Sequence, residues 1–501
     1  MAPRSTLPMR KSEAGMALAM SLKIDSKTIA LTVIFVGVLM AAVDTTIVVL
    51  ALPTIDLGLH TSPLYSIWVI LTYIFVLAIL SSQIGRLGDR YGKARIYKYG
   101  LVIFTVGSAL CGLAPTIGFL ISSRVLQAVG GAIIGTASAA VISDHFEPHE
   151  RGRAFGYTAI GWNFGAILGI FLGGALAVIN WRLIFYINVP IGIIIAIIAF
   201  YKLKDLSEPH KEPFDMLGAV LLGITLLLLS YAASRVMFEG LAQIDALLFA
   251  ASAAFAVAFI IREKRIKYPT INFSLFKNRV FKFSIIASML QSTASFAILF
   301  MLILYLQGVK GLDPFTSSVF LLPGYLLGGI AAPYMGRLSD RIGARIPATS
   351  GLLLIGLGYV AYALFLGVGT PSYYVAIITI LTGVGSAMFF PSNNSAIMAN
   401  APRDRYSMAS GLNRMLGNVG MVLSFVVALT VVATAIPRST AFAIFSGSSV
   451  VLSHSQGISF MHGLDAAFIA SLAIILAATA MSFARGREDR QELTELNRRP
   501  R

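Results

Sequence analysis

Fourteen stretches of mostly apolar residues, separated by short charged loops, constrain this chain more than any other feature. The windows fall at about 29–50, 64–84, 99–118, 120–143, 155–178, 183–203, 214–234, 241–261, 280–306, 315–336, 346–368, 372–398, 408–435 and 464–484. A helix rises 1.5 Å per residue and the hydrocarbon core of a bilayer is about 30 Å thick, so roughly 20 apolar residues make one crossing. The reading is an all-α polytopic membrane protein. Composition agrees: 57% of the 501 residues are apolar and 12% are charged, where an ordinary soluble chain carries about 25% charged residues.

Charge sets the expected orientation. The tails and alternate loops hold 33 of the 39 Lys and Arg, and short cytoplasmic loops are the ones enriched in these residues. The opposite loops hold only Arg182, Arg235, Lys310 and Arg438, while Arg124 and Arg414 fall inside spans. Both termini are therefore expected in the cytoplasm, with the protein in the plasma membrane. The net charge of +16 is spread over these clusters and forms no single basic face, which argues against a nucleic-acid partner. Cys111 is the only cysteine and sits in an apolar stretch, so no internal disulfide is possible. No cleavable signal is evident in the first 28 residues, whose apolar run Ala14–Leu22 is too short to span.

An internal repeat organises the spans. GRLGDR at Gly85–Arg90 follows the second span and GRLSDR at Gly336–Arg341 follows the tenth, at the same place in a second block of six. A second echo pairs Ala154-Phe-Gly156 with Ala409-Ser-Gly411. The expected organisation is a tail at 1–28, a six-helix bundle at 29–203, two inserted spans and linkers at 204–268, a second six-helix bundle at 269–485, and a tail at 486–501. Repeated bundles of this kind suit a transporter that rocks around a site at the midplane.

At this point four stretches resemble the major facilitator superfamily, specifically its fourteen-span drug:proton antiporter branch, over nearly the whole chain. Gly85-Arg-Leu-Gly-Asp-Arg-Tyr-Gly-Lys93 is similar to the superfamily's loop motif G-x-L-x-D-R-x-G-R/K. Arg124-Val-Leu-Gln-Ala-Val-Gly-Gly131 is similar to R-x-x-Q-G-x-G, and Asp44-Thr-Thr-Ile-Val-Val-Leu-Ala-Leu-Pro53 to D-x-T-I-V-N-V-A-L-P. Trp181-Arg-Leu-Ile-Phe-Tyr-Ile-Asn-Val-Pro-Ile-Gly192 resembles W-R-W-x-F-x-I-N-V-P-I-G of the fourteen-span branch. The sequence departs from the pattern twice: Ala166 and Ile170 replace residues of the fifth-span motif G-x-x-x-G-P-x-x-G-G, and Val49 replaces a first-span Asn. The resemblance implies the major facilitator fold and proton-coupled efflux of drugs or other small lipophilic compounds by alternating access. Its implied partners are the substrate, protons and lipid, in a monomer without cofactor.

Site residues follow from polar groups placed where water is scarce. A carboxylate inside a span costs about 2.5–3.5 kcal/mol on insertion scales and usually faces a cavity or a partner. Asp44, in the first span, is the expected proton-coupling site, because a carboxylate withdrawn from water can take up and release a proton in a transport cycle. The resemblance puts the first and fourth spans side by side, which makes Arg124 its counter-charge; the bland reading is a fixed structural pair. Gln127 lies three residues on, near the same face. Gly85, Gly88, Asp89, Arg90, Gly92 and Lys93, with Asp340, Arg341 and Arg345 in the echo, are expected at the cytoplasmic gate, against the reading that they are topogenic charge alone. Gly161, Gly165, Gly169 and Gly173 form an i, i+4 packing stripe on the fifth span. Tyr73, Trp162, Asn163, Gln291, Tyr325, Asn393, Asn394, Asn413, Arg414 and Asn418 are expected, with Gln127, to outline a polar and aromatic cavity. Arg414, a second intramembrane cation, would suit an anionic substrate.

Other classes fit less well. No phosphate-binding G-x-x-x-x-G-K-[ST] loop occurs, and no H-E-x-x-H metal constellation, so neither an ATP-driven pump nor an intramembrane metalloenzyme is expected. His454 and His462, in an expected long loop at about 436–463, are weak support for a metal. A receptor or scaffold would not require duplicated six-span units. A same-fold carrier of a metabolite, sugar or siderophore-like solute remains the alternative.

Overall fold

A computed structural model of the chain describes residues 26–147, 150–206, 215–266, 269, 271, 273–401, 406–435 and 454–486. Fourteen of its helices are long and apolar enough to cross a membrane. They are α1 Ser26–Leu59, α2 Pro63–Tyr91, α3 Lys93–Leu113, α4 Ile117–His145, α5 Arg151–Ile179, α6 Leu183–Lys202 and α7 Met216–Glu239. The rest are α8 Gln243–Arg265, α9 Arg279–Val309, α10 Pro314–Ile342, α11 Arg345–Phe365, α12 Tyr373–Ala399, α13 Tyr406–Ala435 and α14 His454–Ala484.

Local chemistry sets the ends of these helices. Ser62 caps α2 by accepting from the Leu64 N–H at 3.3 Å, Pro63 occupies the first turn, and the helix stops at Gly92 with φ 97°. The echo uses the same device: Asp313 accepts from the Thr316 N–H at 3.0 Å, Pro314 follows, and α10 stops at Gly343 with φ 89°. A left-handed backbone is open to glycine at little cost, so each motif ends in a turn tight enough to run one helix straight into the next.

The repeat is visible in the packing. Within the first six helices α1 packs on α4, α5 and α6, α4 on α2 and α3, and α3 on α6. The same pairs recur eight helices later: α9 packs on α12, α13 and α14, α12 on α10 and α11, and α11 on α14. The two units meet along two seams, α2 against α13 and α5 against α10. The inserted α7 lies against α2 and α13, with α8 packed on α7.

Two sequence expectations need correction. The third span is Lys93–Leu113, about five residues earlier than the window at 99–118. The helix cannot run on, because a residue before proline avoids the helical region, and Ala114-Pro115 is followed by Thr116, which caps α4 through the Phe119 N–H at 3.3 Å. The expected loop at 436–463 is also shorter: α14 begins at His454, where Phe460 and Met461 bury an apolar face. Residues 436–453 lie outside the described residues. On one helix, His454 and His462 stand about 12 Å apart along the axis, too far to share an ion.

Candidate functional site

The first unit closes a charged network at its centre. Arg124 of α4 donates from Nη1 to Asp44 Oδ2 at 2.7 Å and to Gln127 Oε1 at 2.6 Å, and from Nε to the Val69 carbonyl at 3.0 Å. Gln127 Nε2 donates to Asp44 Oδ1 and to Ser108 Oγ, each at 2.7 Å. The guanidinium lies over the Tyr73 ring at 4.2 Å, with Phe185 on another side at 5.7 Å. Asp44 is 0% exposed and Arg124 2%. Both carboxylate oxygens are therefore held by groups on one neighbouring helix, and the pair has no water-facing edge.

Four helices build this network, and glycines let them approach. A Cβ at Gly107 of α3 would stand 2.5 Å from the Gln127 Cα, and one at Gly130 of α4 would stand 2.6 Å from the Phe104 Cα. Gly161, Gly165, Gly169 and Gly173 of α5 ride on successive turns of α1: their added Cβ atoms would meet the carbonyls of Phe35 at 3.2 Å, Leu39 at 2.7 Å, Val43 at 2.7 Å and Ile47 at 2.8 Å. Val43 and Ile47 flank Asp44, so the stripe holds the carboxylate's own helix. Ala166, where the resembled motif has proline, accepts from Thr46 Oγ1 at 3.4 Å. The Trp181 stretch secures the far ends of these helices. Trp181 sits against Gly58, and Arg182 Nη2 donates to the Ala114 carbonyl at 2.9 Å.

The expected cavity residues separate into groups. Tyr73 belongs to the charged network. Arg414 of α13 reaches across the seam to the first unit, its guanidinium 6.0 Å from the Trp162 ring and Nη1 2.6 Å from where a Gly135 Cβ would stand. Asn418 also crosses, donating to Ser81 Oγ of α2 at 3.2 Å. Asn413 donates to Asn394 Oδ1 at 3.0 Å. Gln291 donates to Ser295 Oγ at 3.2 Å, which also accepts from Tyr359 at 2.7 Å, and its Oε1 is buried without a partner. Tyr325 is half-buried near Tyr359, and Asn163 is exposed on α5. Asn393 is a correction: it is 1% exposed, donates to the Ser284 carbonyl at 3.0 Å, and accepts from Arg485 at 3.1 Å. It belongs to a clamp in which Arg485 joins Ser284 Oγ of α9 at 3.2 Å, Asn393 of α12 and the Ala344 carbonyl of the turn before α11.

At the motif loops, Lys93 pairs with Asp144 at 2.7 Å, joining the start of α3 to the end of α4 within one unit. Gly88 is buried, Arg90 is exposed with its guanidinium 5.3 Å from the Tyr91 ring, and Arg341 is exposed. The surroundings of Gly85 and the side chains of Asp89 and Asp340 lie outside the described residues.

Sequence reading missed Ser108 and Cys111, which complete the network from α3; Cys111 Sγ lies 3.5 Å from Gln127 Oε1. Their i, i+3 spacing on the mostly apolar second half of α3 was the available signal. It also missed Asp465, inside α14 one turn beyond His462, with Oδ1 buried and unpartnered.

Two related six-helix units, the first with a buried ion pair at its centre, that meet along two helix seams define a membrane transporter. The chain belongs to the Major Facilitator Superfamily, whose profile matches residues 34–425. It is 30% identical over 405 residues to the riboflavin transporter RibZ of Clostridioides difficile, covering 79% of this chain and 86% of that one. It is 31% identical over 404 residues to the multidrug resistance protein Stp of Mycobacterium tuberculosis, covering 79% and 74%. Among solved structures it is similar to a bacterial homolog of the human lysosomal transporter Spinster in an inward-facing, unoccupied conformation. That match has a TM-score of 0.66 at 16% identity and covers 92% of this chain and 97% of the other.

Proposed function

We propose that the chain is a proton-coupled exporter of small lipophilic compounds. The units at 29–203 and 269–485 alternate access to a site between them, in a monomer that lies in the plasma membrane with both termini cytoplasmic. The observation that carries this reading is the fully buried Asp44, Arg124 and Gln127 network. Proton binding at Asp44 neutralises the one charge that balances Arg124, and leaves the guanidinium with neutral acceptors alone, the Val69 and Gln127 oxygens and the protonated carboxyl. The tie between α1 and α4 then weakens. Because the glycine stripe keeps α1 on α5, and α5 forms a seam with α10, a shift of α1 is passed to the interface between the units. In this scheme Gly85, Gly88, Asp89, Arg90, Gly92, Lys93, Asp340 and Arg341 form the cytoplasmic gate, with Lys93 and Asp144 fixing the loop of the first unit.

The name of Stp supports a drug substrate. That of RibZ supports a second reading, a carrier of a heteroaromatic metabolite on the same scaffold. The test is transport in everted vesicles with an imposed pH gradient, screened with dyes, antibiotics and flavins. Asp44→Asn should abolish gradient-driven movement while leaving substrate binding in place; gradient-driven movement at the wild-type rate in that variant would refute the coupling role.

A further inference from the structure

Arg414 lies well inside α13, and among the described residues no carboxylate pairs with it. Arg124 is paired with Asp44, Arg235 with Asp245 and Glu239, and Arg262 with Asp215, while Arg485 is held by Ser284, Asn393 and the Ala344 carbonyl. Among the described residues Arg414 makes no ion pair or hydrogen bond; its guanidinium lies 6.0 Å from the centroid of the Trp162 ring, and Nη1 stands 2.6 Å from where a Gly135 Cβ would be. The residue is partly exposed and lies on α13, one of the helices that form the seam between the two units. A guanidinium stays charged at any accessible pH, and an unpaired cation at membrane depth marks a place where an anion is received.

We propose that Arg414 and Trp162 form a subsite for aromatic organic anions, with a carboxylate or sulfonate on the guanidinium fork and the aromatic ring against the indole. The fork geometry matches two anionic oxygens, and the indole face accepts a ring stacked with an offset. Gly135 leaves room for this position: a Cβ there would stand 2.6 Å from Nη1, so the guanidinium would have to shift. The subsite deepens the exporter reading and rests on it for its transport consequence, since a bound anion would be the solute carried.

The test is equilibrium dialysis of the full chain in detergent against two probes of matched size, naphthalene-2-sulfonate and N-methylquinolinium. Wild type should bind the sulfonate at least tenfold tighter than the cation. Arg414→Gln should lose that preference, Arg414→Lys should keep part of it, and Gly135→Ala should lose part while retaining the charge. Slow thiol labelling of buried Cys111 confirms that each variant is folded. Unchanged sulfonate binding in folded Arg414→Gln, or a wild-type preference for the cation, overturns the proposal. Ethidium movement driven by a pH gradient separates the two readings. Movement without sulfonate binding removes the subsite and leaves the exporter; sulfonate binding without gradient-driven movement of either probe leaves the subsite and removes the exporter.

Discussion

Replacing Asp44 with alanine tests how far the charged network holds α1 to α4. Asp44 and Arg124 are 0% and 2% exposed, and removing one member of a buried pair leaves an uncompensated charge at a cost of about 3–5 kcal/mol. Arg124 would retain two of its three acceptors, the Val69 carbonyl and Gln127 Oε1, which places the expected loss at the lower end, about 3 kcal/mol. Asp44→Asn should cost less, about 1.5–3 kcal/mol, because its oxygen still accepts from Arg124 while its NH2 meets the Gln127 NH2 and one charge-assisted bond is lost. The assay uses Cys111, the only cysteine, which is fully buried beside Gln127. When labelling follows local opening, 3 kcal/mol raises the rate on the order of 100-fold, since each 1.4 kcal/mol is tenfold. Combining Asp44→Asn with Arg124→Gln should cost less than the sum of the single changes, because neither then strands a charge. A labelling rate for Asp44→Ala within threefold of wild type would sink this account of the network.

Other consequences concern the scaffold. Gly165→Val must push α5 off α1, where the Leu39 carbonyl and Ala42 Cβ each stand 2.7 Å from the new Cβ; a loss of about 1–3 kcal/mol and of folded yield is expected, while Gly156→Ala, which meets nothing within 4 Å, should behave as wild type in size-exclusion chromatography. Arg485→Ala should lower the thermal unfolding temperature by removing charge-assisted bonds worth about 1.5–3 kcal/mol each, and lysine should not restore it, because a point charge cannot span α9, α12 and the Ala344 turn together. The side-chain and backbone bonds from Thr316 hold the Asp313 carboxyl below its ordinary 3.8. With the folded value depressed, its contribution is complete above that ordinary value and is lost as pH falls through the folded one; the stability deficit of Asp313→Ala, about 1 kcal/mol for a cap, should therefore shrink on acidification below about pH 4.

Much of the architecture was legible because lipid forces it. Each crossing must be a long apolar helix, so fourteen windows gave fourteen spans, and the GRLGDR echo gave the repeat that the packing pattern reproduces. Boundaries slipped where hydropathy and capping disagree: Lys93–Lys98 look like loop by charge, yet Gly92 turns the chain directly into α3. The segment from His454 looked like loop by composition, yet its apolar face packs.

The amino-acid sequence by itself determined the membrane class, the duplication and the charged and polar residues that a bilayer does not tolerate without purpose. Tertiary structure alone decided which of them meet. Asp44 and Arg124 are 80 residues apart in the chain, and only the close approach of α1, α3 and α4 at glycines brings them together. The same packing places Asn393 under Arg485 and leaves Arg414 without a counter-charge among the described residues. Pairing across helices depends on interhelical distance and rotation, which hydropathy does not encode.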